Sequence, residues 1–202
     1  LPSGEQFAWQ RQVAAKDLLR HEWAGLDRVL AALGHPVRLL RAIVHGRRTK
    51  ADLERLELPE ASFDLAYSSL VFHYLEDFGR LARMVHRALV PGAPFVFTIE
   101  HPVFMAAANP RWIDDDGHKT WPVNDYAREG ERRTDWFVQG VLKHHRRLST
   151  TLNVLISAGF TVRQIEEFAP NPAQIANDPA LEVELERPMF LLVSARRIRM
   201  PR

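Results

Sequence analysis

The sequence has no cysteine among its 202 residues. This absence excludes disulfide bonds and metal sites built from thiolates, and it is compatible with a reducing cytoplasm. Long hydrophobic runs are also missing, since none approaches the roughly 20 residues that a membrane-spanning helix needs. The N-terminus shows no basic-then-apolar signal pattern. We therefore expect a soluble, cytoplasmic protein with no membrane partner.

Glycine is present but never closely spaced, because none of the ten glycines is separated from another by a single residue.

Positive and negative charges are nearly balanced. The formal net charge is +2, so a nucleic-acid partner is allowed but not required. A basic cluster at 143–147 is interpreted as solvated surface charge. With 46% hydrophobic residues, the chain can bury the core of one domain, with or without an appendage.

The clearest pattern lies between residues 63 and 102. It opens with an apolar, β-forming run, Phe63–Val71, and continues into an amphipathic helical segment. The apolar side of that segment carries Leu81, Val85 and Leu89. Pro91 and Gly92 end the helix, and a second apolar run, Phe95–Ile99, comes directly after them. Strand, helix and strand in this order predict a βαβ unit and hence a parallel sheet.

Further elements are predicted downstream. Residues 136–144 alternate in a way that suits a strand or hairpin, and Ser149 or Thr150 is predicted to cap a helix that ends at Gly159. Strands are predicted at 160–168 and 189–195, with short helices between residues 171 and 186 that start at Pro172 and Pro179.

Four pieces of the sequence resemble one known family in their order and spacing. They are FDLAYSSLVFHYLED, ALVPGAPFVFTIEHP, TTLNVLISAGFTVRQIEEFAP and RPMFLLVSARR. Together they are similar to the stretch from the fourth to the last strand of class I S-adenosylmethionine-dependent methyltransferases of the small-molecule type. The resemblance covers residues 49–202. It implies an α/β fold made of the second half of a Rossmann-like methyltransferase sheet, with S-adenosylmethionine as cofactor and a small molecule as acceptor.

The resemblance also implies where the cofactor would lie. Asp52 matches an acidic residue that accepts a hydrogen bond from the adenine amino group. Ser68, Ser69 and Leu70 match the end of the strand beside the methionine portion of the cofactor. These four residues are the predicted cofactor contacts.

Three histidines are candidate catalytic residues. His73 comes after the first strand and His101 after the second, at the carboxyl edge where open α/β sheets bind ligands. His144 matches a region near the acceptor pocket of the resembled family, where a histidine can act as general base. For each, the alternative is a structural or surface histidine that only makes hydrogen bonds.

The long segment after the second strand carries the aromatic residues Trp112, Trp121 and Tyr126. In the resembled family, an insertion at this place forms part of the lid over the acceptor, and aromatic side chains suit a planar or apolar molecule. These three residues are the predicted substrate contacts. Packing of the rings on the core is the alternative.

An acidic triplet, Asp114–Asp116, is followed by Gly117 and His118. Its spacing does not match a calcium loop, and His118 has no second histidine at a helical interval. No metal site is predicted.

Residues 1–48 have a different pattern and are predicted as a separate helical segment ahead of the 49–202 region. Helical periodicity predicts helices at 5–20, 22–33 and 37–44. The run LAALGHPVRLLRAIVHGRRTKADLERL resembles the opening of an arsenical-repressor-type winged-helix regulator. A DNA-reading helix should come next, but residues 58–78 carry no arginine or lysine to contact bases or phosphates. We therefore do not expect nucleic-acid binding.

The absence of closely spaced glycines is a departure from the resembled methyltransferase family. In that family a glycine-rich loop lets the backbone approach the cofactor, and this sequence has no such loop. Three interpretations stay open: a methyltransferase-like protein, active or degenerate; a non-catalytic chimeric or engineered fusion; and a winged-helix transcriptional regulator. Half a sheet would also leave the 63–71 strand with a free edge. We expect the N-terminal helices and a second copy of the chain, in a homodimer, to cover that edge.

Overall fold

A computed structural model describes residues 52–136 and 138–198 of the chain. The predicted helices at 5–20, 22–33 and 37–44, the winged-helix-like segment and the predicted boundary after residue 48 lie outside these residues. The described residues all belong to the 49–202 region, which carries the resemblance to methyltransferases.

The described residues form eight strands, four α-helices and two short 3₁₀ helices. They are β1 Ala66–Ser69, a first 3₁₀ helix Phe72–Tyr74, α1 Phe78–Ala88, β2 Pro94–Glu100, α2 Pro102–Met105, β3 Ile113–Asp115, β4 His118–Thr120, β5 Gly130–Trp136, β6 Val138–His145, α3 Leu148–Ser157, β7 Phe160–Glu167, α4 Pro172–Asn177, a second 3₁₀ helix Pro179–Leu185 and β8 Phe190–Arg197.

The main sheet has four strands in the order β1, β2, β8, β7. β1 and β2 are parallel, while β8 is antiparallel to both β2 and β7. The predicted βαβ unit and the mixed α/β class are therefore confirmed. β3 pairs with β4, and β5 pairs with β6, in two separate antiparallel hairpins.

Helix α1 covers one face of this sheet with its apolar side. Leu81, Val85 and Leu89, the predicted stripe, are all buried and share one cluster with Phe95 and Phe97 of β2. The side chain of Asp77 accepts a hydrogen bond from the Arg80 N–H at 2.8 Å and so caps the first turn of the helix. The hydrophobic pattern and the cap together explain why this segment is a helix on the sheet.

Strand β1 is shorter than the predicted 63–71 run. Leu70 has a φ of 53°, in the left-handed region, and this conformation ends the strand. Phe63 makes only an isolated parallel bridge with Leu89. β1 forms one outer strand of the described sheet, and how its other edge is covered lies outside the described residues.

The start of helix α3 also differs from the prediction, because neither Ser149 nor Thr150 caps it. The Leu148 N–H donates instead to the Tyr126 hydroxyl at 3.1 Å. Tertiary contacts thus supply the cap that the local pattern assigned to neighbouring side chains. The predicted end is correct, since Gly159 comes after the helix with a left-handed φ of 96°.

The long segment after β2 is more structured than a loop. It contains α2 and the β3–β4 hairpin, whose turn is formed by Asp116 and Gly117 with φ values of 49° and 86°. Two successive left-handed residues are what a tight two-residue hairpin turn requires, and Asp-Gly is a preferred pair there. The acidic triplet is therefore part of a hairpin. Among the described residues, no helix is long and apolar enough to cross a bilayer.

Gly159 gives a direct test of the α3–β7 junction. An added Cβ would lie 2.8 Å from Nε2 of His86, and the left-handed backbone adds strain. We expect Gly159→Ala to lower the free energy of unfolding by about 2 kcal/mol or more, measured by urea denaturation. Gly117→Ala is the matched control, because it has a similar φ but no atom within 4 Å of the new Cβ. Gly117→Ala should lower the free energy of unfolding by about 1 kcal/mol. An equal decrease for both variants would contradict a clash between the new Cβ at position 159 and His86.

Candidate functional site

The carboxyl ends of β1 and β2 lie side by side, which is where ligands bind in open α/β sheets. The Leu70 N–H donates to the Thr98 carbonyl oxygen at 2.9 Å and to the Thr98 hydroxyl at 3.2 Å. The Thr98 hydroxyl in turn lies 3.2 Å from the Ser69 hydroxyl. One threonine of β2 therefore holds the polar turn at the end of β1, and Ser68 lies one residue before it.

Asp52 lies on a segment that is tied to the start of α1. The Arg80 guanidinium donates to two carbonyl oxygens of residues 53–56 and pairs with the Glu57 carboxylate at 2.8 Å. The Asp52 side chain is 61% exposed and accepts a hydrogen bond from the Glu54 N–H. Since α1 begins near the end of β1, Asp52 belongs to the same edge of the sheet as the turn at Leu70.

A buried ion pair lies at the end of β2. The Lys143 ammonium, from β6, donates to Oε1 of Glu100 at 2.6 Å, and the two side chains are 2% and 5% exposed. The imidazole of His73 lies against the same residue. Its Nδ1 accepts from the Glu100 backbone N–H at 3.3 Å, and its Nε2 is 3.9 Å from Oε1. Oε2 of Glu100 is buried and has no hydrogen-bond partner among the described residues.

Burial dominates the protonation of this cluster. It raises the pKa of the Glu100 carboxyl, although the Lys143 charge acts in the opposite direction. It lowers the pKa of His73 well below its ordinary value, and the charges of Lys143 and Arg146 lower it further. Because Nδ1 of His73 accepts a hydrogen bond, the neutral ring carries its proton on Nε2. His73 is therefore a neutral hydrogen-bond donor near pH 7.

A small cavity of about 10 Å³ lies beside the cluster, with space for about one water molecule. Its polar lining includes His73, Glu100, His144 and Arg146. No described residue makes a hydrogen bond to the imidazole of His144, which is partly exposed. Two of the three predicted catalytic histidines therefore meet at one cavity, and His144 has the ring that is available to a ligand.

Arg146 fixes the turn after β1 from the other side. Its guanidinium donates to the carbonyl oxygens of Phe72, Leu75 and Glu76, the last at 2.8 Å. With Lys143 buried and Arg146 partly buried, the interpretation of 143–147 as solvated surface charge is wrong for these two residues. The alternation of β6 carries a signal for this, since Lys143 and His145 occupy buried positions two residues apart.

His101 has both ring nitrogens engaged. Nδ1 accepts from the Val103 N–H at 3.0 Å, which caps α2, and Nε2 lies 2.8 Å from the Glu167 carboxylate of β7. Burial lowers the pKa of His101, although the hydrogen bond and charge of Glu167 raise it. This geometry matches the structural alternative, in which His101 ties α2 to the sheet.

The predicted substrate contacts divide into two places. Trp112 and Trp121 lie together with Phe104 and surround the Arg187 guanidinium, whose central carbon is 4.8, 4.1 and 4.5 Å from the three ring centres in that order. Arg187 is 4% exposed and lies 2.8 Å from a carboxylate oxygen of Glu184. The Arg187 charge thus lies against the faces of the rings in cation–π contacts. No sequence pattern identified Arg187 in advance.

Tyr126 makes a different set of contacts from the two tryptophans. Its hydroxyl accepts from the Leu148 N–H, its carbonyl oxygen accepts from Nε2 of His145 at 2.9 Å, and the two rings meet edge to face. Both contacts are structural. Within 52–136 and 138–198, no three His, Asp or Glu side chains are grouped in a way that could hold a metal ion.

Similarity to known proteins relates this chain to methyltransferases. A family model described as a methyltransferase domain matches residues 21–97. The crystal structure of an S-adenosylmethionine-dependent methyltransferase from Mesorhizobium loti is 56% identical, covers 79% of this chain and 75% of its own, and has a TM-score of 0.71. A structure from Listeria monocytogenes, provisionally assigned to the same activity, is 28% identical, covers 79% of this chain and 76% of its own, and has a TM-score of 0.65.

An uncharacterised protein of Haemophilus influenzae is 34% identical over 154 residues, which is 72% of this chain. The chain spans 59% of the length of that relative. The family model begins at residue 21, inside the segment 1–48 that the sequence pattern set apart. One family model therefore spans the predicted boundary between two patterns, and the winged-helix resemblance stays a prediction.

The buried ion pair makes a pH-dependent prediction. Lys143→Met leaves the Glu100 carboxylate buried without its ammonium partner, and we expect a loss of about 3–5 kcal/mol in unfolding free energy at pH 8. The pKa of Glu100, already raised by burial, should rise further. A raised folded-state pKa means that the variant is most stable when the carboxyl is protonated and loses stability as pH rises through that pKa. Urea denaturation should therefore show a smaller loss at pH 5 than at pH 8.

The control is the double variant Glu100→Gln/Lys143→Met, which removes both charges. It should lose less stability than Lys143→Met at pH 8 and should show little of the added pH dependence. If Lys143→Met lost the same unfolding free energy at pH 5 and at pH 8, this result would contradict a Glu100 carboxylate that Lys143 keeps ionised.

Proposed function

Because the chain belongs to the S-adenosylmethionine-dependent methyltransferase family, we propose that it binds S-adenosylmethionine at the carboxyl edge of β1 and β2 and methylates a small-molecule acceptor. The observation that carries the proposal is the placement of the polar Ser69–Leu70 turn next to the buried Glu100–Lys143 pair. A ligand-facing turn and a water-poor polar cluster at one edge are what a transfer reaction needs.

The residues at this edge fit the cofactor by their chemistry. Asp52 is an exposed carboxylate that can accept from an adenine amino group. The hydroxyls of Ser68 and Ser69 can bind the polar methionine portion, and the strained backbone of Leu70 turns the chain away from the space beyond β1. When bound, the cofactor supplies an electrophilic methyl group on a sulfonium. Methyl transfer depends mainly on alignment and on exclusion of water.

The glycine-rich loop of the family has no counterpart in the 202 residues. We propose that other residues of this chain contact the cofactor where that loop would lie. Whether these contacts form decides between an active enzyme and a degenerate one. A measurement of cofactor binding is enough to test it.

We assign the proton-accepting role to His144 where the acceptor must lose a proton. The nitrogens of His101 are both engaged, and the lone pair of His73 Nδ1 already accepts from the Glu100 N–H, which leaves the other ring nitrogen to carry the proton. His144 lines that cavity, and its ring has no hydrogen-bond partner in the described part of the chain. The size of the cavity, about that of one water molecule, suits the reactive hydroxyl or amino group of an acceptor.

The first experiment is titration calorimetry with S-adenosylhomocysteine, the demethylated product of the cofactor. We expect binding with a dissociation constant of about 1 to 100 μM, corresponding to roughly 5 to 8 kcal/mol. Asp52→Asn should weaken it by about tenfold, since a hydrogen bond to a charged carboxylate becomes a weaker one to a neutral amide oxygen.

The matched control for Asp52 is Glu60→Gln, which neutralises an exposed carboxylate near the end of α1, at the opposite edge of the sheet. It should leave the affinity unchanged. A folded protein that gives no binding heat up to millimolar ligand would refute the proposal and leave a non-catalytic role for this fold.

The role of His144 is tested by transfer of a labelled methyl group to a panel of small phenols, alcohols and amines. For an acceptor that loses a proton, His144→Gln should lower kcat by about 100-fold or more with unchanged affinity for S-adenosylhomocysteine. His118→Gln, an exposed histidine on β4, is the control and should have no effect. An equal effect of His101→Gln and His144→Gln on kcat would contradict the assignment.

A further inference from the structure

Strand β7 forms the second outer edge of the main sheet. It pairs with β8 on one side, and no described strand pairs with it on the other. An unpaired strand edge presents backbone N–H and C=O groups that can pair with another chain. The free edge that the sequence pattern predicted, at the 63–71 strand, lies on the opposite side of the sheet from β7.

The side chains along this edge are self-complementary. From Arg163 to Glu167 the sequence reads Arg, Gln, Ile, Glu, Glu, and Ile165 in the middle is 39% exposed. If two copies pair antiparallel about Ile165, then Ile165 faces its own copy. In the same register Arg163 faces Glu167, and Gln164 faces Glu166. The opposed pairs are opposite charges, two apolar side chains, and an amide with a carboxylate, the last two groups being hydrogen-bonded to each other within one strand as well.

We propose that β7 is a homodimer interface, in which two copies of the chain join antiparallel through residues 163–167 into one continuous sheet. A two-fold interface must match its own sequence read in reverse, and this segment does so. Neighbouring registers do not, because a slip by one residue places Ile165 opposite a polar side chain of the other copy. The occupant of the edge is therefore a second copy rather than an unrelated strand.

Arg163 and Glu167, which form the proposed pair of opposite charges, are both available for this pairing. No described residue forms a hydrogen bond or ion pair with the exposed Arg163 side chain. Glu167 binds Nε2 of His101 through Oε1, yet its side chain remains 54% exposed and has room for a second partner. In the dimer, the Arg163 guanidinium of the other copy would reach the Glu167–His101 pair, which holds α2 at the end of β2. The interface would thus be linked to the candidate site.

The bulge in β7 is compatible with this arrangement. The register of β7 against β8 shifts between Val162 and Gln164, so Arg163, the first residue of the proposed interface, is the extra residue of the bulge and has no partner on β8. Residues Gln164–Glu167 pair with β8 in regular register beyond it. A bulge and charged residues also protect edges from random aggregation, and here they restrict pairing to one register.

The first test is the oligomeric state of the full chain by sedimentation, from about 1 to 100 μM, because dimer formation depends on protomer concentration. We expect a concentration-dependent dimer. Arg163→Glu should raise the dimer dissociation constant about tenfold or more, because each substitution acts twice in a two-fold dimer and places like charges opposite each other. The double charge reversal Arg163→Glu/Glu167→Arg should restore dimer formation. Arg83→Glu, an exposed charge reversal on α1, is the control and should change nothing.

The second test uses the absence of cysteine. Opposed residues in an antiparallel pair have Cα atoms about 4.5–5.5 Å apart, within the range of a disulfide. Under mild oxidation, Ile165→Cys should therefore form a covalent dimer much faster than Ile156→Cys, which places a single cysteine at a 58% exposed position on α3. A monomer over the whole concentration range, equal cross-linking at both positions, or no rescue by the double reversal in a folded protein would overturn the proposal.

Discussion

The buried pair of Glu100 and Lys143 is the contact on which the organisation of the candidate site depends. It joins the end of β2, in the central sheet, to β6, in a separate hairpin. Two ions removed from water are tolerated only when each compensates the other, so the pair specifies where the hairpin lies on the sheet. Arg146 and His101 add further polar contacts, to the turn after β1 and to β7. The candidate edge is therefore built from hydrogen bonds and charges, and the face of the sheet under α1 from apolar packing.

This division of forces suits methyl transfer as we propose it. The apolar cluster around Phe95 and Phe97 makes the sheet rigid, and the polar edge is the place where side chains can face a ligand. Burial then assigns different chemistry to similar residues. His73 is held neutral with a defined tautomer, His101 is used as a cap, and His144 remains open to the cavity. In a small, enclosed cavity the electrostatic effect of each group beside it is stronger than in bulk water.

One residue at the edge of the sheet also has two roles. Glu167 takes part in the internal tie to His101, and its side chain is still 54% exposed. If two copies join at this strand, one carboxylate contributes to both the local structure and the assembly. Aromatic side chains show a comparable shift of role. Trp112 and Trp121 form a box around Arg187, so their large faces stabilise the long segment after β2 by packing on a charge of the same chain.

Local sequence was sufficient for the βαβ unit, the positions of the later strands and the end of α3 at Gly159. Those features depend on hydrophobic periodicity and on residues with special backbone geometry, which act within a few positions along the chain. The family resemblance extended this to the fold. It also placed Asp52, Ser68, Ser69, Leu70, His73 and His101 at one edge, since the carboxyl ends of successive parallel strands meet there.

The sequence by itself thus determined the βαβ unit, the last two strands and the fold class, and it predicted the edge of the sheet at which a ligand would bind. Tertiary structure decided the rest. It buried Lys143 against Glu100, placed Arg187 among three aromatic rings, and used Tyr126 as the cap of α3. These partners are 22 to 83 positions apart in the chain, so no local pattern encodes their contact. Whether a charged side chain is solvated or buried depends on what the remaining chain places against it, and that is known only once the chain is folded.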